Sequence, residues 1–157
     1  MEEKRSAAEA VRLDGFGDFR NDAVMTSQAS LPCPGARFDA IGRLVADSVA
    51  GEMVEVAAFA YCDGAGRMLG LRHARGDYPD AVDLPVRRVA IDALSLNAVA
   101  VVMAHNHPCG EAWPSRADRE ATRRLASALH GLDVRLHEHL VVGAGGAWWS
   151  FRAAGLL

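Results

Sequence analysis

Two stretches of this chain are almost wholly apolar: VEVAAFAYC at residues 54–62 and AVAVVMA at residues 98–104. Each reads as a strand buried inside a sheet. Any fold the chain adopts must cover both, and the segments around them supply the cover. From Ala36 to Ala50 the apolar residues Phe38, Ile41, Leu44, Val45 and Val49 fall on one helical stripe. Asp63-Gly64-Ala65-Gly66 is a turn, and RMLGLRH (67–73) is the returning strand of a hairpin. After a loop with Gly76 and Pro79, Asp83 and Pro85 signal a helix that runs to about Leu96, with Asn97 near its end. A further helix starts at Ser115 and ends at His130-Gly131, where glycine suits the C-cap. VRLHEHLVV (134–142), a Gly-rich turn and AWWSF (147–151) make a last pair of strands. Helices alternate with strands around one sheet, so the class is α/β or α+β.

The totals bound this picture. At 157 residues the chain fits one domain with a real core, and half of it is hydrophobic. There is no internal repeat, and the domain is expected over residues 36–157. Residues 1–35 are charged first and then rich in Gly, Asn, Ser and Pro, ending in LPCPG, so they are expected to form a weakly ordered arm. A net charge of −3 argues against a general nucleic-acid footprint while leaving room for a local basic patch. Cys33, Cys62 and Cys109 are odd in number and widely spaced. The opening MEEKRSAAEA is polar and unlike the apolar core of a signal peptide, and no apolar run approaches the ~20 residues needed to span a bilayer. Free thiols in a reducing cytoplasm, away from any membrane, are the expectation.

The second apolar run leads straight into MAHNHPCGEAWPSRADRE, Met103 to Glu120. In an extended segment residues i and i+2 point to the same side, ~6.5–7 Å apart, so His105 and His107 can converge on one ion. Pro108 favours that geometry by pushing His107 away from the α region. Asn106 faces the other way, free to pin a loop. Two partly exposed histidines at a strand end would satisfy the same pattern, and Ser115-x-x-Asp118 also matches a helix capping box. The helix weighs against the plainer alternative. At 100° per residue Asp118 lines up with Thr122, Leu125 and Leu129, on the stripe that should face the sheet, and no arginine or lysine shares that face within a turn. An inward carboxylate is costly unless it is paired or ligates a metal. Two histidines and an aspartate would leave a fourth tetrahedral position for water, the arrangement of a catalytic zinc site.

The spacing His-x-His, seven residues, Ser, two residues, Asp matches the JAMM motif, met by His105, His107, Ser115 and Asp118. The chain resembles the RadC-like branch of that JAB/MPN superfamily over about residues 50–157. HNHPCGEAWPSRAD looks like that branch's HNHPSG…PS..D segment, and RRVAIDALSLNAVAVVMAHNHP, LHEHLVVG and SFRAAGLL are similar to its neighbouring helix, strands and C-terminus. The resemblance implies a single JAB/MPN-like domain, a mixed β-sheet flanked by helices with a deaminase-like architecture. It implies zinc held by His105, His107 and Asp118, with Ser115 stabilising the oxyanion. It also implies an upstream glutamate as general acid/base, which counting back from Asp63 places at Glu55, with Glu52 as the fallback. Cys109 stands where serine is usual, and Glu138 replaces the aspartate before His139. The helix-hairpin-helix region of longer RadC-like proteins has no counterpart in residues 1–35.

Competing motifs fit less well. Zinc deaminases need His-x-Glu and Pro-Cys-x-x-Cys, and Cys109 has no partner at Ala112. His73, His130 and His137 read as surface or packing residues, Trp148 and Trp149 as packing for the last strand, and Arg116, Arg119, Arg123 and Arg124 as a solvated helix face with an Arg116/Glu120 pair. Two functions remain. One is a zinc-dependent hydrolase of amide or isopeptide bonds, acting on a peptide or protein conjugate. The other is a non-catalytic or DNA-associated module with a structural or vestigial metal site. A homodimer is left open.

Overall fold

The computed structural model describes residues 21–22, 34–75 and 84–157. Six strands form one mixed sheet in the order β1-β3-β2-β4-β5-β6: β1 (Asn21–Asp22), β2 (Val56–Cys62), β3 (Met68–Arg75), β4 (Ala100–His107), β5 (Arg135–Gly143) and β6 (Trp148–Ser150). Three helices flank it among the described residues: α1 (Pro34–Asp47), α2 (Val86–Ser95) and α3 (Arg116–His130). Only β4 and β5 pair in parallel, joined through α3; the other pairs are antiparallel. The α/β class expected from the alternation of elements is the one observed.

The two apolar runs are the central strands β2 and β4, and both faces of each are covered. Ala57, Phe59, Tyr61, Val101 and Met103 pack beneath Val89 and Ala93 of α2 and Leu125 and Leu129 of α3. On the other face Val56, Ala58, Ala60, Val102 and Ala104 pack against Phe38, Ile41, Val45 and Val49 of α1. The residues alternate between these two cores with the period of two that a strand imposes.

Three local details differ from the sequence expectation. β4 does not stop at Ala104. Pairing with β2 (Ala57 opposite His105) and with β5 (His107 opposite Gly143) keeps it extended through both histidines. β2 begins only at Val56, leaving Val54 half exposed. α3 does end at His130 with Gly131 as its C-cap, as expected; Gly131 keeps a helical φ of −64°, and the left-handed residue is Asp133, with φ 57°. Finally, Asn21 and Asp22 of the expected arm pair with β3 as a short edge strand, while residues 1–20 and 23–33 lie outside the described residues. Residues 76–83, most of the loop before α2, lie outside them as well.

The β4–β5 register shifts between Val101 and Val102, which face Leu136 and Glu138. His137 is the extra residue of this bulge. It changes the phase of β5, so that His139, opposite Met103, comes to the α2/α3 side of the sheet. No helix among the described residues is long and apolar enough to cross a membrane.

Candidate metal centre

His105 and His107 lie two apart in β4 and so project to one side, where the first turn of α3 brings up Asp118. The Nε2 atoms of the two histidines are 3.1 Å apart. Asp118 Oδ1 is 3.4 Å from His105 Nε2, and Oδ2 is 3.4 Å from His107 Nε2. Zinc bonds of ~2.0–2.1 Å at tetrahedral angles would set neighbouring ligand atoms about 3.3 Å apart; each pairwise gap here is close to that, although the two histidines face different Asp118 oxygens, and one ligand atom from each of the three residues lies within 4.8 Å of the others. The donor set fits as well. His107 Nδ1 faces the Glu111 carbonyl oxygen at 3.0 Å, and because a carbonyl only accepts, the ring proton sits on Nδ1 and Nε2 offers a lone pair inward. The carboxylate can only accept. Among the described residues this is the one group of three or more His, Cys, Asp or Glu side chains that converges in this way, and Cys109 is not part of it.

Asp118 combines two roles that looked like alternatives in the sequence. Its Oδ2 accepts a 2.7 Å hydrogen bond from the Ser115 backbone N–H, and its own N–H donates to Ser115 Oγ at 3.1 Å, a complete capping box. The same carboxylate faces the histidines. Burial alone would raise its pKa, but the His105 and His107 rings, which donate to it through Nε2 only when that nitrogen is protonated, hold it well below the ordinary carboxylate range. His107 responds in the opposite sense: its hydrogen bond to Asp118 raises its pKa. Ser115 Oγ is exposed and uses a lone pair for the cap, which leaves its O–H to donate.

The structure separates the two candidate glutamates. Glu55, the residue just before β2, lies near enough to His107 for its charge to help raise that ring's pKa. Glu52 instead pairs with Arg75 at 2.9 Å. Asn106, buried on the reverse of β4, ties this segment down: Oδ1 accepts from Val56 N–H at 2.7 Å, and Nδ2 donates to the carbonyls of Glu52 and Val54 at 3.0 Å each. A cleft of about 250 Å³ opens beside His107, between Ala50–Met53, Asn106–Pro108 and Gly143–Ala144.

A family model for the RadC-like JAB domain matches residues 36–156. The chain belongs to the RadC-like JAB domain family. It is similar to a UPF0758 protein of Alcanivorax borkumensis, 38% identical over 117 residues that cover 74% of this chain and 52% of the relative. It is 40% identical over 95 residues to a UPF0758 protein of Vibrio cholerae, covering 60% of each. A third, from Cellvibrio japonicus, is 43% identical over 91 residues, 58% of this chain and 41% of the relative. The chain thus spans about half the length of the curated relatives it matches.

Around this RadC-like centre stand residues that the sequence reading passed over. His139, fully buried, brings Nε2 within 2.8 Å of His105 Nδ1 and Nδ1 within 2.8 Å of Thr122 Oγ1. Burial pushes its pKa well down, and the nearby His105 adds to that. Arg119 departs from the expected solvated face. It is half buried, with its guanidinium 5.9 Å from the centre of the Trp113 ring, because the 109–114 loop folds back along the start of α3. Trp149 packs between Trp113 and Phe151 as expected of a last-strand residue, whereas Trp148 is 52% exposed. The Arg116–Glu120 pair forms at 2.9 Å. His130 is exposed, and His137 stacks on Phe38.

Proposed function

We propose that this chain is a zinc-dependent hydrolase of amide or isopeptide bonds, acting on a peptide or protein conjugate. The observation that carries this reading is the convergence of His105, His107 and Asp118, whose nearest ligand atoms lie 3.1–3.4 Å apart pair by pair. Zinc bound there would supply Lewis acidity, lowering the pKa of a water to roughly 7 and polarising a substrate carbonyl.

The protein's own groups have separable tasks. Glu55, held by the segment that Asn106 anchors, would accept a proton from the attacking water and return it to the leaving amine. Its charge beside His107 also favours cation binding. Ser115 would donate its O–H to the oxygen of the tetrahedral species, from a position fixed by the α3 cap. The cleft at His107 would receive the substrate chain. The DNA-associated alternative draws on the arginines of α3, and the engagement of Arg119 with Trp113 and of Arg116 with Glu120 reduces what that face can offer phosphates.

The test combines zinc content with turnover. Tag-free protein is expected to carry about one zinc by ICP-MS, Glu55→Gln to retain it, and Asp118→Ala to lose it. Cleavage of quenched peptide and isopeptide-linked libraries should fall about 10²–10⁴-fold in Glu55→Gln. Retained zinc with no amide cleavage by the wild type would make the metal structural. Absence of zinc from the wild type would remove the reading altogether.

A further inference from the structure

We propose that His139 and Thr122 are positioning residues that lock His105 in the one tautomer able to present a lone pair at the candidate metal centre. The proposal rests on the reading of His105 as a ligand, and its protons can be followed from atom to atom.

Thr122 Oγ1 lies 2.6 Å from the carbonyl oxygen of Asp118, one helical turn earlier. A carbonyl only accepts, so the hydroxyl proton points there. Oγ1 then has only lone pairs for His139 Nδ1, 2.8 Å away, so Nδ1 carries a proton. His139 is 0% exposed, lies flat against Phe151 with ring centroids 4.4 Å apart, and has both ring nitrogens engaged by Thr122 and His105. A second proton would make it a buried cation with no carboxylate hydrogen-bonded to its ring, so Nε2 is bare. That bare nitrogen faces His105 Nδ1 at 2.8 Å and must accept from it. His105 is therefore protonated on Nδ1 and bare on Nε2, the atom 3.1 Å from His107 Nε2 and 3.4 Å from Asp118 Oδ1. Along the chain from the Asp118 carbonyl through Thr122 and a neutral His139 to His105 Nδ1, any other order of protons sets two donors or two lone pairs face to face.

The circuit runs from one proposed ligand, Asp118, through α3 and β5 to another, His105, and it is closed to solvent: Thr122 is 1% and His139 0% exposed. The usual outer partner of a metal-bound histidine is a carboxylate, a backbone carbonyl or water. A neutral imidazole accepts the same proton without adding a second negative charge to that of Asp118. The bulge at His137 is what brings this imidazole to the inner face.

Four variants separate this role from packing. Thr122→Val keeps the shape and removes the acceptor for His139 Nδ1–H. The His139 proton should then move to Nε2 and donate to His105 Nδ1, which turns the His105 proton toward the metal position. His139→Phe keeps an aromatic ring on Phe151 but accepts nothing. Thr122→Ser and His139→Gln keep the acceptors. Long-range ¹H–¹⁵N spectra of metal-free protein should show His105 protonated on Nδ1 in the wild type, Thr122→Ser and His139→Gln, and shifted toward Nε2 in Thr122→Val and His139→Phe. Zinc affinity, measured against a chelator at fixed pH, should fall about 10–100-fold in Thr122→Val and His139→Phe and stay within a few-fold in the conservative pair. An unchanged His105 tautomer in Thr122→Val and His139→Phe, with only the melting temperature altered, would overturn the proposal and leave these residues as packing. If the wild type binds no zinc, the hydrolase reading fails, and the His105 tautomer in the metal-free spectra still decides whether the circuit exists.

Discussion

Two aspartates are carried over the same face of the sheet by neighbouring helices, and they live in opposite surroundings. Asp92 of α2 is 7% exposed. Arg88 Nε reaches its two oxygens at 3.1 and 3.3 Å, Arg72 Nε stands at 4.0 Å, and the Tyr61 hydroxyl lies 3.5 Å away. Every neighbour is a donor, and two are guanidinium groups. Burial and the Asp92 charge push the Tyr61 pKa far up, so the phenol keeps its proton and remains a donor. Asp118 of α3 has a cap donor at Ser115 but otherwise meets imidazole nitrogens, one of which, on His107, offers a lone pair. The Asp92 cluster is complete in itself. The Asp118 cluster brings together groups that could hold a metal ion. A buried carboxylate therefore marks a candidate site only when its partners cannot satisfy it.

Removing each carboxylate should break the comparison in a different way. Asp118→Ala should lower zinc affinity by a thousand-fold or more, since one of three protein ligands is gone, while costing the metal-free fold only about 1 kcal/mol for the lost cap. Asp92→Ala should leave zinc content unchanged and cost roughly 2–3 kcal/mol, because it strands Arg72 and the Tyr61 hydroxyl in a largely buried pocket. Zinc stoichiometry and urea unfolding of EDTA-treated protein read the two effects separately. Equal loss of zinc in both variants would mean that the two clusters are not independent.

What could be read before folding was whatever depends on a local period. His105 and His107 share a side because a strand repeats every two residues, and Asp118 faces inward because a helix repeats every 3.6. The Ser115–Asp118 box is local too. Both buried strands were plain from their composition. His139 was not legible. Counting by twos from the inward Leu136 selects Glu138 and Leu140, and only the bulge against β4 exchanges Glu138 for His139. A bulge is a property of two strands together, and one strand's sequence does not announce it. Arg119 was misread for a similar reason. Its helical position is outward, but the 109–114 loop returns to cover it with Trp113, and the course of that loop is set by contacts with β5.

The two clusters should also respond differently to pH. The hydrogen bond to Asp118 raises the His107 pKa in the folded chain above the unfolded value of about 6.5. In metal-free protein the His107 proton therefore stabilises the fold fully below pH ~6.5, and its contribution is lost as pH rises through the folded pKa. Zinc requires the bare nitrogen, so its affinity should run the other way, falling by up to about tenfold for each pH unit below that pKa. Above pH 7, where His137 and His139 are neutral folded or unfolded and no longer contribute, melting temperatures of EDTA-treated protein and zinc titrations, both from pH 7 to 9, should therefore show opposite slopes. Asp118→Ala should flatten the first slope. Asp92→Ala should shift the curve downward without changing its slope, since no histidine takes part in that cluster.

The smallest expected effect tests how each cluster is braced. A Cβ built on Gly143 would lie 2.7 Å from the backbone nitrogen of Ala112, with backbone atoms of Glu111 and Gly110 at 3.2 Å. Ala144 N–H also donates to the Gly110 carbonyl at 3.0 Å, so the 109–114 loop lies directly on the end of β5. Near α2 the corresponding position is Gly70, where an added Cβ would meet the tip of the Leu96 side chain at 3.1 Å. A side-chain tip can turn aside and a backbone cannot. Gly143→Ala should therefore displace the loop that brings the Glu111 carbonyl to His107 Nδ1, freeing that ring to rotate. Zinc affinity should fall about tenfold, the lower end for loss of an outer-shell partner. Gly70→Ala should leave zinc affinity unchanged and alter stability by less than about 1 kcal/mol, as Leu96 adjusts. If Gly143→Ala binds zinc as the wild type does, the Glu111 carbonyl is not what orients His107, and the inner position of its lone pair would have to come from Asp118 alone.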